Sequence, residues 1–249
     1  MGRGGQSTAG AVVTPPRDEF AQQRREAKEI LGQRPLATRR IGLFVLAGSH
    51  AYGLARPDSD NDYRGFYVAP TAEVLSLQPP APQLERNEPD LCVYEVSKFC
   101  HLASKANPNV LEILWAPVLS QDSAGELLRA NRDAFLSERV RTTYGGYAMS
   151  QLKQLEKLAD RNPDRVEKFA RHLFRLFEQG SSLLSTGDMS IRVADPDELR
   201  RISTAPVEEI KQRFHELDAE FRQLESVLPP EPDYRRINEM LLEIRRESL

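Results

Sequence analysis

The sequence predicts an α+β fold, a small sheet domain followed by an α-helical domain. Three observations carry this. Ile41 to Ala47 (IGLFVLA) is a short, almost wholly apolar run, the pattern of a strand buried on both faces. Two more strand-like runs follow, Asp60 to Val68 (DNDYRGFYV) and Leu91 to Val96 (LCVYEV). From about Gly125 onward, strand patterns give way to amphipathic helical ones.

Taken in order, residues 1–17 are rich in Gly, Ser, Thr and Pro and lack the apolar core of a secretion signal, so disorder is expected there. Asp18 to Gln33 (DEFAQQRREAKEILGQ) predicts a helix capped by Asp18 and ended ahead of Pro35. The Ile41–Ala47 strand stops at Gly48-Ser49, and the second strand is expected to be interrupted at Gly65. Pro79 to Pro89 reads as a proline-rich loop. The third strand leads into a helix near Ser97 to Lys105, which Asn107-Pro108-Asn109 breaks, and Val110 to Trp115 starts another. Tyr147 to Asp160, Asp164 to Leu184, Val207 to Leu228 and Asp233 to Glu247 complete the helices, with Gly187, Pro196, Pro206 and Pro229-Pro230 between the later ones. The expected seam near residues 120 to 140 divides a front domain over 18–125 from a helical domain over 126–249.

Composition removes several function classes. With 34 Lys and Arg against 37 Asp and Glu, the formal net charge is -3, so the chain is no polycation that coats nucleic acid, although a local basic cleft is compatible. Cys92 and Cys100 stand outside any CxxC pair, which argues against a zinc site or a disulfide framework. Two ordinary thiols suit a reducing cytoplasm. No apolar run approaches the length that spans a bilayer, so no membrane partner is expected.

The chemistry is concentrated in Gly48 to Gly65 (GSHAYGLARPDSDNDYRG). On a strand, residues two apart share a face, so Asp60 and Asp62 would point the same way. Like charges held this close call for a cation between them, and a hard ion with oxygen ligands such as Mg2+ is the usual answer. Arg64 shares that face and would contact a phosphate or orient a carboxylate. At Gly48-Ser49 the buried strand ends in a turn whose N–H groups, with the Ser49 hydroxyl, can hold a phosphate oxygen. A phosphate cradle beside a carboxylate metal site is what phosphoryl or nucleotidyl transfer requires. The bland alternative is a strand, a glycine turn and a solvated Asp-rich loop. A calcium loop starting at Asp58 fails, because Tyr63 stands where glycine is needed and Ala69 where the closing Glu would be. No GxSxG surrounds Ser49, which excludes a hydrolase elbow.

Gly-Ser, ten intervening residues and Asp-x-Asp resemble the signature of polymerase-β-type nucleotidyltransferases. The fuller set Gly48, Ser49, Gly53, Ser59, Asp60, Asp62, Arg64 and Gly65 is similar to the RNA-ligase-associated polymerase-β-like group. Tyr94-Glu95, Lys98-Phe99, Asn107-Pro108-Asn109, Glu112 and Lys168 to Leu176 (KFARHLFRL) extend the likeness over most of residues 40–185. The resemblance implies a polymerase-β-like sheet domain, an NTP donor (ATP foremost), Mg2+ as two ions with Mn2+ as a substitute, and an acceptor that is an RNA end, a small molecule or a protein. It also implies a third carboxylate from a neighbouring strand. Asp90, which opens LCVYEV, is the choice. Glu95, at the other end on the opposite parity, is the rival. Asp60, Asp62 and Asp90 would then be catalytic and hold the metal, and Gly48, Ser49, Arg64, Lys98, Lys168, His172 and Arg175 would bind the nucleotide.

Plainer readings stand beside these roles. Lys168, Arg171, His172 and Arg175 lie three and four apart on one helix, either as a stripe facing the cleft or as a solvated face paired with Asp164, Glu167 and Glu178. Lys98 reaches a phosphate or covers apolar neighbours with its stem. Asn107 and Asn109 serve first as helix punctuation. His50 and Tyr52 touch nucleotide or pack. For the whole chain, the other readings are a non-catalytic NTP-binding or antitoxin-like protein and a purely structural module. An intact aspartate pair counts against the first, and absence of NTP binding would favour the second.

Overall fold

Alternation along the apolar runs divides their side chains between two cores. The computed structural model of the protein describes residues 19–159 and 162–249. The expected disorder of residues 1–17, the Asp18 cap and the end of the Tyr147–Asp160 helix lie outside them.

Helix α1 (Ala21–Leu31) precedes strand β1 (Arg40–Ala47), and the five-residue α2 (Gly48–Tyr52) follows directly. Next come β2 (Asp62–Val68), α3 (Thr71–Val74), β3 (Gln83–Arg86), β4 (Asp90–Glu95) and α4 (Val96–Ser104). Then α5 (Pro108–Leu111) runs into a short 3-10 helix (Glu112–Leu114), followed by β5 (Val118–Gln121) and α6 (Ser123–Ala130). The remainder is helical: α7 (Arg139–Leu158), α8 (Pro163–Thr186), α9 (Pro196–Ser203), α10 (Val207–Gln223) and α11 (Tyr234–Arg246). None of the described helices is long and apolar enough to cross a membrane.

The strands form one mixed sheet in the order β3-β4-β2-β1-β5. Only β2 and β4 are parallel; the other neighbours are antiparallel. Phe44 and Leu46 of β1, with Tyr63 and Tyr67 of β2 and Leu91 and Val93 of β4, pack on one face against Ala27 and Ile30 of α1. The opposite parity, Leu43 and Val45 with Phe66 and Val68, enters a larger core. That core runs through Phe99 of α4, Tyr144 and Ala148 of α7, Leu173 and Phe177 of α8, Phe214 and Phe221 of α10 and Met240 of α11. The site residues of β2 and β4 have this second parity, so they face the helical half.

Several expectations need correction. Strand β2 runs unbroken through Gly65, because a glycine there lets the backbones close in: a Cβ would lie 2.0 Å from the Leu43 carbonyl oxygen. The proline-rich loop contains β3 (QLER), a four-residue edge strand whose polar side chains carry no apolar alternation. Strand β5 (VLSQ) is hidden because it is only four residues long, with side chains half-buried or exposed. Helix α7 starts at Arg139, eight residues before the expected Tyr147, since Thr142, Thr143, Gly145 and Gly146 mask a stripe formed by Val140, Tyr144 and Ala148. Helix α9 was not expected, and α10 ends at Gln223, short of Leu228.

Candidate functional site

The site forms where β1 ends. Gly48 turns the chain with φ 65°, and the place a Cβ would occupy is 1.6 Å from Asp62 Oδ2. Register supplies the rest: Ala47 pairs with Asp62, and Asp62 pairs with Asp90 on the parallel strand. The Gly48-Ser49 turn and the Asp62 and Asp90 carboxyls thus meet at one end of the sheet.

Arg64, one step along the same face, grips Asp90 with both arms. Its Nη1 donates to Oδ1 and its Nη2 to Oδ2, each at 3.0 Å. Of the two tasks foreseen for Arg64, this geometry displays the orienting of a carboxylate. Burial, and then contact with Asp90, raises the Asp62 carboxyl to about 6. Burial also pushes Asp90 upward, but its hydrogen bonds to Arg64 prevail and hold it below the usual carboxylate range.

Asp60 is placed differently from the expectation. Strand β2 begins at Asp62, whose partner Ala47 is the last residue of β1, so no strand remains for Asp60 to pair with. It sits in the preceding loop, exposed, lining the same cleft. The adjacent carboxylates are therefore Asp62 and Asp90 from neighbouring strands, rather than Asp60 and Asp62 on one strand. Among the described residues no group of three His, Cys, Asp or Glu side chains is gathered closely enough to hold a metal. The contacting Asp62–Asp90 pair nonetheless fits a hard divalent cation such as Mg2+ or Mn2+. Its donors are all carboxylate oxygens, and a cation would relieve the repulsion that burial makes costly.

Helix α8 forms the facing wall. Lys168, Arg171, His172 and Arg175 all line the cleft, which has a volume of about 1180 Å3. Its floor and rim add Tyr52, Arg56, Asn109, Glu112, Gln151 and Phe169. Lys168 is close enough to act electrostatically on both Asp62 and Asp90. Arg171 pairs with Glu167 at 3.3 Å, and Arg56 reaches the same Glu167 oxygen at 3.3 Å. Burial first, then Arg175 and Lys168, lower His172 to about 4, so its imidazole is neutral at physiological pH. Arg175 is buried and already engaged, donating to Glu112 at 3.3 Å and lying 3.1 Å over the Tyr52 ring.

Two further expectations resolve by direction. Because β4 is parallel to β2, its C-terminal end lies away from Asp62, and the start of α4 goes with it. Glu95 therefore stands at the far end of β4, accepting from the Ser97 N–H at 2.8 Å and pairing with Arg245 at 2.6 Å. Lys98 is likewise outside the cleft lining: it donates to Gln83 and lies 5.8 Å over the Tyr94 ring. Arg56, Gln151 and Phe169 line the cleft without a signal in the sequence that singles them out. Arg56 sits in an irregular loop, where no periodicity assigns a face.

Residues 19–220 match the family model described as RlaP, the RNA repair pathway DNA polymerase beta family. No curated protein matches the chain. A nucleotidyltransferase-like protein from Exiguobacterium sibiricum 255-15 has a similar solved structure, with 11% identity over 91% of this chain and 79% of that one. The TM-score is 0.33.

Proposed function

We propose, from the premise that the chain belongs to the RNA repair pathway DNA polymerase beta family, that it is a metal-dependent enzyme transferring a nucleoside monophosphate from an NTP to an acceptor. Family membership supports a general nucleotidyltransfer role. The finer reading rests on one observation above others: the contacting carboxyls of Asp62 and Asp90 lie beside the Gly48 turn, across the cleft from Lys168.

In this reading Asp62 and Asp90 hold Mg2+, with Asp60 as a third oxygen donor from the adjoining loop and Mn2+ as a substitute. Bound there, the ion would neutralise triphosphate charge and ease the approach of an oxygen nucleophile to the α-phosphorus. The Gly48-Ser49 backbone and the Ser49 hydroxyl hold β- and γ-phosphate oxygens. Lys168 offers a cation to the same phosphates from the facing wall. Arg64 keeps Asp90 ionised and aimed. Asp90 favours loss of the acceptor's proton as the new phosphorus–oxygen bond forms and pyrophosphate departs. ATP is the donor proposed, and an RNA end is the acceptor proposed, the latter in keeping with the family's RNA repair description. The free, buried thiols of Cys92 and Cys100 suit a reducing compartment, and the cytoplasm is the location assigned.

The test is isothermal titration with each NTP, with and without Mg2+, on the wild type and on Asp62→Asn and Asp90→Asn. Magnesium-dependent binding that both substitutions abolish is the expected result. Binding indifferent to either substitution sinks the metal site. Transfer of label from α-labelled ATP to an RNA oligonucleotide then tests the acceptor, with binding but no transfer pointing to a different acceptor or a non-catalytic site.

A further inference from the structure

The floor of the cleft holds a buried charge pair that stability alone does not require. Arg175 is 5% exposed and Glu112 8%. Arg175 Nη2 donates to Glu112 Oε2 at 3.3 Å, while Glu112 Oε1 accepts from the Tyr52 hydroxyl at 2.9 Å. The guanidinium also lies 3.1 Å above the centroid of the Tyr52 ring. Taking such a pair out of water costs more than filling the same space with apolar side chains. Arg175 Nε has no hydrogen-bond partner among the described residues, so the arrangement is not tuned for stability.

Its location supplies the missing reason. Tyr52 ends α2, whose other end is the Gly48 turn against Asp62. Glu112 opens the short 3-10 helix after α5. Arg175 is on α8, about one turn beyond His172 and two beyond Lys168, on the face that lines the cleft. A contact that ties Tyr52 to Arg175 through Glu112 joins the phosphate turn to the cationic wall. Two walls held at one separation can meet a triphosphate together without first being ordered.

We propose that Tyr52, Glu112 and Arg175 form a pin that sets the separation of the carboxylate wall from the α8 wall, and so act as positioning residues for the nucleotide. Arg175 is then no phosphate ligand; it works through Lys168 and the Gly48-Ser49 turn. What is positioned rests on the nucleotide reading above, whereas the pin itself does not.

The experiment uses Tyr52→Phe, which removes only the hydroxyl that faces Glu112, together with Glu112→Gln and the double variant. Each is followed by thermal melting and by titration with ATP and Mg2+. Each also carries spin labels at Asn87→Cys on the sheet side and Asp164→Cys on α8, in a Cys92→Ser background. Tyr52→Phe is expected to melt with the parent, to broaden the distance distribution between the labels, and to bind ATP with Mg2+ roughly tenfold more weakly. The double variant is expected to bind no more weakly than Glu112→Gln, because the two groups share one contact. An unchanged distance distribution in Tyr52→Phe overturns the pin, and unchanged ATP binding despite a broadened distribution overturns its positioning role. If Glu112→Gln fails to fold, Tyr52→Phe alone decides. If the wild type binds no ATP, the nucleotide reading falls, and the label distances still decide whether the pin exists.

Discussion

At Gly48 two demands coincide: the backbone turns through φ 65°, and Asp62 Oδ2 fills the space a side chain would need. For L-residues the left-handed region alone costs about 1–2 kcal/mol. Gly48→Ala should therefore lower stability by at least that amount in urea titration and also push Asp62 off the turn, weakening ATP binding with Mg2+. An alanine variant with wild-type stability and binding would mean that the turn relaxes freely. His172 makes a second residue-scale prediction. Free histidine takes a proton near pH 6.5, but the half-buried ring beside Arg175 and Lys168 refuses one until about pH 4. Between those values the unfolded chain holds more protons than the folded one. Stability should then fall as pH drops from 6.5 to 4, by on the order of 2–3 kcal/mol. His172→Gln should flatten that slope, and an unchanged slope in the variant would assign the pH dependence to other groups. At this scale the sequence was informative where one element sufficed. The parity of Asp62 and Arg64 is seen in β2. The Asp62–Asp90 pairing depends on register between two strands, which no single run of residues displays.

Elements show the same division. Strand β1 was legible because it is apolar on both faces, and α8 because its stripe runs the length of the helix. Strands β3 and β5 were not, since each is four residues long with side chains only partly buried or exposed. Edge strands join a sheet through their backbone, and the backbone leaves no trace in side-chain patterning. Gly65 has the look of an interruption in the sequence but is the means of close approach between β1 and β2. With the Leu43 carbonyl oxygen 2.0 Å from the would-be Cβ, Gly65→Ala must force the two central strands apart. Overpacking of this kind costs about 3 kcal/mol when backbone has to move. The urea midpoint should drop accordingly. A neutral outcome would show that β1 can shift past β2 without loss, in which case the Ala47–Asp62–Asp90 register would not depend on that spacing.

Across the whole molecule, the last helix is fastened to the sheet half. Arg245 of α11 donates to Glu95 at 2.6 Å, to Ser97 Oγ at 2.6 Å and to the Ala69 carbonyl at 3.0 Å. Thr71 returns two bonds, its N–H to the Ser248 carbonyl and its hydroxyl to the Arg245 carbonyl. Arg40, at the start of β1, pairs with Glu247 at 3.0 Å. Contacts between the first strand and the last helix are beyond local sequence patterns, and so is the pairing with Arg245 that holds Glu95 away from the site. Glu95 and Arg245 are both well shielded, with side chains 8% and 13% exposed. Removing one member of a buried pair leaves the other charge without compensation, at a cost of about 3–5 kcal/mol, whereas removing both can be nearly neutral. Arg245→Met should thus destabilise strongly, and Arg245→Met with Glu95→Gln should recover part of the loss, since glutamine can still accept from the Ser97 N–H. Because the larger core runs from β1 and β2 into α8, α10 and α11, the loss should move a single unfolding transition rather than release α11 alone. Tryptophan fluorescence at Trp115 and far-ultraviolet circular dichroism should therefore shift together in the single variant. Separate midpoints, or a double variant no more stable than the single one, would mean that Arg245 supports α11 locally and that the two halves unfold independently.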